Sequence, residues 1–363
     1  MNWKRNMGAI LLASVFILGF TRCSKWTETE NMDVFEYGNT ETNKPDSYYK
    51  ALREWKKTKH SVSFGWFSGW GDGGSQTFNM LAGIPDSMDI VSLWSNWSNL
   101  SEAQKRDLKQ VQEQKGTRIV FCTFTRWVGQ GATPAEFDES DEKRNEFWGW
   151  NKDPEEAVRK YARALVDTVR KYNYNGLDID YEPSYYPGPL VNSEQYMTVL
   201  IEELGKYLGP KSANPDLLFI LDGQSIFSNL GGYFSYIVSQ AYATTGSPND
   251  NTYNSVAYLD QILEGYIEHF NGVLTEEEVT NRLIVTENLE AADFALKGGY
   301  KFYDRNQMLL DGVPSLVGFA MWEPVNGYMK GGMGAYQFGY EATNTPSYKW
   351  MRTAIQTMNP AIN

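Results

Sequence analysis

Residues 174–182 read Tyr-Asn-Gly-Leu-Asp-Ile-Asp-Tyr-Glu, with Pro183 directly behind. The run is short, rich in β-formers and bounded by Asn175-Gly176 in front, so it predicts a buried strand ending in a loop. Alternation along a strand puts Asp178, Asp180 and Glu182 on one face and Leu177, Ile179 and Tyr181 on the other. Three neighbouring carboxylates repel one another and lose solvation on burial, so stability does not select them. A polar edge strand would alternate in the same way, but its second face would not be apolar. Crowded acids of this kind have perturbed proton affinities and mark functional sites. They cannot all ionise cheaply, so one stays protonated near neutral pH, as a general acid must. The three titrate as one coupled set.

From Asp46 onward, apolar strand-like runs alternate with amphipathic stretches, the pattern of a parallel sheet covered by helices. The predicted strands are Ser61–Phe67, Ile90–Trp94, Arg118–Thr123, Gly176–Glu182, Leu217–Asp222, Tyr236–Tyr242, Arg282–Thr286 and Leu316–Trp322. Helices are expected at Ser101–Gln114, Pro154–Tyr172 (Asp153 as cap, Pro in the first turn), Ser193–Tyr207, Ser255–Phe270 and Ser347–Thr357. Eight βα units over about 300 residues point to a single (β/α)8 TIM barrel, whose chemistry sits at the carboxyl ends of the strands. Glu182 meets that test. Trp66 and Trp70 follow the first strand, Trp94 and Trp97 the second, and Trp127 the third. Gln240 and Tyr242 end the sixth, and Trp322-Glu323 the eighth. Twelve tryptophans are many for this length. Indole faces bury the apolar faces of sugar rings, so tryptophans around a polar cleft suit a glycan; alternatively, several of them pack the barrel's upper layer.

The strand at 175–182 resembles the D-G-x-D-x-D-x-E signature of glycoside hydrolase family 18, the chitinases and endo-β-N-acetylglucosaminidases. Asp178, Asp180 and Glu182 match it, and Asn175 stands where the family has Asp. The stretches Gly209-Pro210-Lys211, Leu218-Phe219-Ile220-Leu221-Asp222 and Ser239-Gln240-Ala241-Tyr242 are most similar to the F-type endo-β-N-acetylglucosaminidases, which cut between the two core GlcNAc residues of N-glycans. The resemblance runs over roughly residues 60–355. It implies a retaining, substrate-assisted reaction, outside the two-carboxylate scheme. Glu182 would protonate the glycosidic oxygen, Asp180 would orient the acetamide N–H, Tyr242 would bond the acetamide oxygen, and Asp178 would hold Asp180 by sharing a proton. It places Trp322 under the −1 sugar. The sequence offers no second carboxylate on an opposing strand as a nucleophile, and neither metal nor organic cofactor is implied. Two other readings stand beside this one: a non-catalytic glycan-binding barrel, and a chitinase-like hydrolase. Glu182 is intact, against the first. The stretch from Arg282 to Trp322 has room for only one helix and a loop, not the chitinase-type insertion, against the second.

The chain opens with Lys4, Arg5 and an apolar run from Met7 to Phe20, the pattern of a secretory signal peptide over residues 1–22. Cys23 follows, where a bacterial lipoprotein carries its lipid, although Phe20-Thr21-Arg22 are not the small residues such a site prefers. Either Cys23 is lipidated and the protein is held at the envelope, or it is periplasmic or secreted after cleavage nearby. Residues 23–45 are polar and read as a tether, leaving 46–363 as the barrel. Removing residues 1–22 takes away Lys4, Arg5 and Arg22 and no acids, which moves the net charge from −12 to −15. That acidity argues against nucleic acid or an anionic membrane surface as a partner. The expected partner is an N-glycan or another GlcNAc-containing oligosaccharide, met by a monomer. With Cys23 and Cys122 the only cysteines and His60 and His269 the only histidines, neither an internal disulfide nor a soft-metal cluster is expected.

Overall fold

The protein is described by a computed structural model that covers residues 44–72, 79–244 and 250–360. The expected signal peptide, Cys23 and all but the end of the expected tether lie outside these residues.

Ten strands occur among the described residues. In chain order they are β1 (Val62–Phe67), β2 (Ile90–Leu93), β3 (Arg118–Phe124), β4 (Gly176–Tyr181), β5 (Leu218–Gly223), β6 (Tyr236–Ser239), β7 (Leu283–Asn288), β8 (Lys301–Tyr303), β9 (Leu309–Pro314) and β10 (Gly332–Tyr336). Eight of them form a closed parallel barrel, ordered β1-β10-β7-β6-β5-β4-β3-β2, while β8 and β9 pair as a separate antiparallel hairpin. Alternation sorts the strand residues into two layers. Leu177, Ile179, Phe219, Leu221, Ile237 and Val285 face outward and pack under the helices. Phe64, Trp66, Val120, Cys122, Ile220, Val238 and Ile284 fill the barrel interior.

The helices begin where the sequence supplies a cap. Helix α1 (Asp46–Lys56) precedes the barrel. In α2 (Glu102–Gln110), Ser101 and Gln104 form a reciprocal capping box, and α3 (Asp141–Trp148) is capped by Ser140. Asp153 accepts the Glu156 N–H at the head of α4 (Pro154–Tyr172), and Ser193 does the same for α5 (Glu194–Leu204). Past the short α6 (Asp250–Tyr253), Ser255 caps α7 (Val256–His269) and Thr275 caps α8 (Glu276–Arg282). The chain continues through α9 (Phe294–Lys297), α10 (Ser315–Met321) and α11 (Lys349–Met358). These side-chain oxygens take up N–H groups that the first turn leaves without partners.

One predicted strand is a helix. Leu316–Trp322 does not close the barrel: residues 315–321 form α10, and the eighth barrel strand is β10, ten residues further on. A short apolar run does not by itself distinguish a buried strand from a buried helix. The true strand reads Gly-Met-Gly-Ala-Tyr because two inward positions have no room: a Cβ on Gly332 would lie 2.0 Å from the Val62 carbonyl oxygen, and one on Gly334 2.3 Å from that of Phe64. Close approach to β1 has removed the apolar side chains that announce a strand. The stretch from Arg282 to Trp322 also holds more than one helix and a loop, since it carries α9, the β8–β9 hairpin and α10.

Candidate active site

The acidic strand lies in the barrel wall with its carboxyls turned inward. Asp178 is fully buried, and three strands meet on it: its Oδ2 accepts the Trp66 indole N–H of β1 at 3.0 Å and the Ser92 hydroxyl of β2 at 2.7 Å. Asp180 lies two residues nearer the mouth, in register with Phe124 on β3 and Asp222 on β5. Both of its carboxylate oxygens are buried and accept from no N–H or hydroxyl. Glu182 follows, half-buried at the strand's carboxyl end. Gln240 bonds Glu182 on one side and donates from Nε2 to Asp222 Oδ1 at 3.2 Å on the other.

Burial dominates the electrostatics. It pushes Asp178 up to about 6, opposed by bonds from Ser92, Asp222 and Trp66 that favour its ionised form. Asp180 is pushed up to about 8 by burial and then by the charges of Glu182 and Asp178. Burial also raises Glu182, with Gln240 opposing, and holds Tyr242 well above the ordinary phenol range, with Asp222 and Asp180 adding to it. The cluster therefore retains protons at neutral pH that isolated carboxyls would release.

Gly223 allows the acids to stand this close to β5. It has φ +92°, and a Cβ there would lie 2.7 Å from the Tyr181 carbonyl, 3.0 Å from Glu182 Cγ and 3.2 Å from Asp180 Oδ1. Asn175, the departure from the family signature, lies at the foot of β4. Its side-chain oxygen accepts the Ile119 N–H and the Gln112 amide, both at 2.8 Å, bonds that need only an acceptor.

Aromatic rings form one contiguous series toward the carboxyl end of the strands, with Trp66 its fully buried member. Tyr242 faces Tyr336 with centroids 6.4 Å apart, and Tyr336 touches Trp66 at 6.2 Å and Trp94 at 5.3 Å. Trp94 then meets Phe124 at 5.5 Å, and Phe124 meets Tyr186 at 5.1 Å. Trp127 lies beyond this series with Arg126 and Arg144 each 4.8 Å from its ring. Trp70 and Trp97 are packing residues: Trp70 donates to Asp107 at 2.8 Å and Trp97 stacks on Phe121 at 4.4 Å.

Trp322 and Glu323 belong elsewhere. They follow the C-terminus of α10, where Lys330, just before β10, donates to the carbonyls of Phe319, Ala320 and Trp322. The Lys330 carbonyl in turn bonds Ser61, just before β1, so this is the amino end of the barrel strands, opposite the acids. Trp322 is buried there with its N–H on Asp260 at 2.9 Å. Glu323 is exposed, and its carbonyl takes Arg305 at 2.8 Å. The strand that does close the barrel brings Tyr336 to the mouth instead.

Sequence reasoning assigned no role to Asp222, Ser92 or Tyr336. Asp222 carried a usable signal, an acid at the end of a predicted strand beside the acidic one. Tyr336 was hidden by the displaced eighth strand. Cys122, Asp180 and Asp222 each place one potential ligand atom within 4.8 Å of the others. Burial and the adjacent carboxyls raise the Cys122 thiol well above its ordinary range.

Comparison with known proteins agrees with this geometry. The family model described as "Glycoside hydrolase family 18, BT1044-like" matches residues 27–357. Endo-β-N-acetylglucosaminidase EndoS of Streptococcus pyogenes serotype M1 is 23% identical over 313 residues, covering 76% of this chain and 29% of the relative. An endo-β-N-acetylglucosaminidase of Bifidobacterium longum subsp. infantis is 26% identical over 200 residues, covering 48% of this chain and 32% of the relative. The chain thus matches about a third of the length of these curated relatives. A solved structure of BT1044, in selenomethionine form with a Glu-to-Gln substitution, superposes with TM-score 0.72 at 28% identity, covering 90% of this chain and 96% of that one. The apo endo-β-N-acetylglucosaminidase of Cordyceps militaris shares the fold, with TM-score 0.58 at 17% identity and coverage of 90% and 100%. With the family model matching most of its length and the acidic strand set in a closed eight-stranded barrel, this chain belongs to glycoside hydrolase family 18.

Proposed function

We propose that the chain is an endo-β-N-acetylglucosaminidase that hydrolyses the GlcNAc-β-1,4-GlcNAc bond of N-glycan cores with retention. The observation that carries this reading is Asp180, whose two buried oxygens accept from no N–H or hydroxyl, beside the half-buried acid Glu182 on the same strand face. A substrate acetamide N–H supplies the missing donor. Glu182 gives its proton to the glycosidic oxygen as the acetamide oxygen attacks the anomeric carbon, and the leaving sugar departs as an alcohol. The resulting oxazolinium is positively charged. Asp180 stabilises it through the N–H, and the Tyr242 hydroxyl donates to the acetamide oxygen. Glu182, now ionised, takes a proton from the water that opens the ring. Support also comes from the descriptions of the Streptococcus and Bifidobacterium relatives.

Glycoproteins of the high-mannose, hybrid and complex classes, incubated with the protein and weighed by mass spectrometry, test the reading. A single retained GlcNAc per site is expected for at least one class. Unchanged masses for all three would leave a glycan-binding barrel as the better description.

We propose further, from the apolar run that ends just before Cys23 and the polar stretch behind it, that the mature protein is held at the cell envelope through Cys23. Each buried methylene of a lipid contributes roughly 0.8 kcal/mol, so two or three acyl chains hold firmly where one does not. Cys23→Ser should move the protein from the membrane fraction to the soluble fraction with its activity unchanged. A wild type already soluble means simple secretion.

A further inference from the structure

Asp222 flanks the acid cluster from the β5 side, and the reaction above makes no use of it. It is 1% exposed and level with Asp180 across the β4–β5 pairing. Its carboxyl bonds both Asp178 and Asp180, and it also receives the Cys122 thiol at 3.8 Å and the Gln240 amide at 3.2 Å. Two carboxyls bond each other only through a proton, so one of each touching pair must be neutral.

The surroundings decide which. Asp178 Oδ2 already accepts Trp66 and Ser92, an arrangement that favours a carboxylate. Its Oδ1 accepts from no N–H or hydroxyl, so a protonated neighbour completes it. Asp180 must be ionised to stabilise an oxazolinium. Asp222 receives one amide N–H and one weak thiol donor, a poorer set for an anion than that of Asp178, and no substrate N–H completes it as the acetamide completes Asp180. We infer that Asp222 is held neutral and donates its single O–H to Asp178 or Asp180, one at a time, as the positioning residue that orients Asp180 for the acetamide. Burial followed by the charges of Asp180 and Asp178 pushes its carboxyl well above the usual range, in the same direction. Through Gln240 it also fixes the amide that bonds Glu182. In this arrangement the proton that the family resemblance assigns to an Asp178–Asp180 pair resides on a third acid, on the next strand.

The assignment of Asp180 to the acetamide rests on the proposed endoglycosidase reaction; the protonation of Asp222 does not. The test uses two variants and one substrate-free measurement. Asp222→Asn presents an N–H to its neighbours and an oxygen to Gln240, the pattern of a protonated Asp, and should keep kcat within roughly threefold. Asp222→Val removes the donor and should lower kcat roughly ten- to a hundred-fold with KM little changed. A loss in Asp222→Asn as large as in Asp222→Val would overturn the inference, because an ionised carboxylate would then be required. So would full activity in Asp222→Val. If the valine variant does not fold, the infrared difference between wild type and Asp222→Asn at pH 7 decides: the C=O stretch of a neutral carboxyl is expected in the wild type, and its absence refutes a protonated Asp222. A protein that shows the band yet cleaves no N-glycan sinks the proposed activity and leaves the proton assignment standing.

Discussion

A general acid has to reach the substrate still carrying its proton, and Glu182 is half-buried among other carboxyls with Gln240 as its hydrogen-bond partner. Glu182→Gln should keep the fold and glycan binding yet lose turnover by several orders of magnitude, beyond the roughly 10²–10⁴ of acid catalysis alone, because the leaving group stays unprotonated. Cleavage at more than about a tenth of the wild-type rate would show that another group supplies the proton. Asp180→Asn and Tyr242→Phe act one step apart from this. Both should slow formation of the oxazolinium while a preformed sugar oxazoline is still used as a donor. Variants equally poor with both substrates would assign these residues to structure. At this scale the sequence was informative because spacing alone put three carboxyls on one face of an otherwise apolar strand. It could not show which oxygens have partners, because those belong to Trp66, Ser92 and Asp222 on three other strands.

The elements were legible where side chains declare their environment and obscure where backbone contact replaces them. Asp153-Pro154 marked α4 at its first residue, and the alternation in β4 matched its two packed faces. The eighth strand failed that test, since Gly332 and Gly334 lie against β1 carbonyls and present no apolar side chain to read. Helix α1 was passed over as well, because nothing strand-like drew notice to it. The displacement has a measurable consequence. Trp322→Phe removes one buried bond to Asp260 and should cost about 1–3 kcal/mol of stability with kcat and KM unchanged, by thermal unfolding and steady-state kinetics. Tyr336→Ala removes the ring that contacts Tyr242, Trp66 and Trp94, and should lower kcat/KM roughly tenfold. The reverse pattern would return Trp322 to the substrate.

For the whole molecule, the acid cluster makes folding depend on pH. An unfolded Asp ionises near 3.9, whereas burial and the charges of Asp180 and Asp178 hold Asp222 well above that. Above about 3.9 the folded state keeps a proton that the unfolded chain releases, so stability falls as pH rises until Asp222 itself ionises. Burial raises Glu287 to about 7 and Glu341 to about 8, with the same sign. Asp222→Asn should therefore raise the melting temperature progressively as pH rises above about 4 and hardly at all near pH 4. A gain independent of pH would mean that packing, not the proton, is responsible. The seam between β1 and β10 has a different reach. Ser61 bonds the Lys330 carbonyl across 269 residues of sequence, and every acid of the pit is translated before that partner exists. A nascent chain that has emerged only through β7 has the carboxyls but leaves β1 and β7 as unpaired edges, and pairings this distant in sequence form late. Such a chain exposes strand edges while its acids repel one another, a state prone to association. Catalytic competence thus arrives in one event with the last barrel strand, and a product cut short before Gly332 would hold the acids without holding a site.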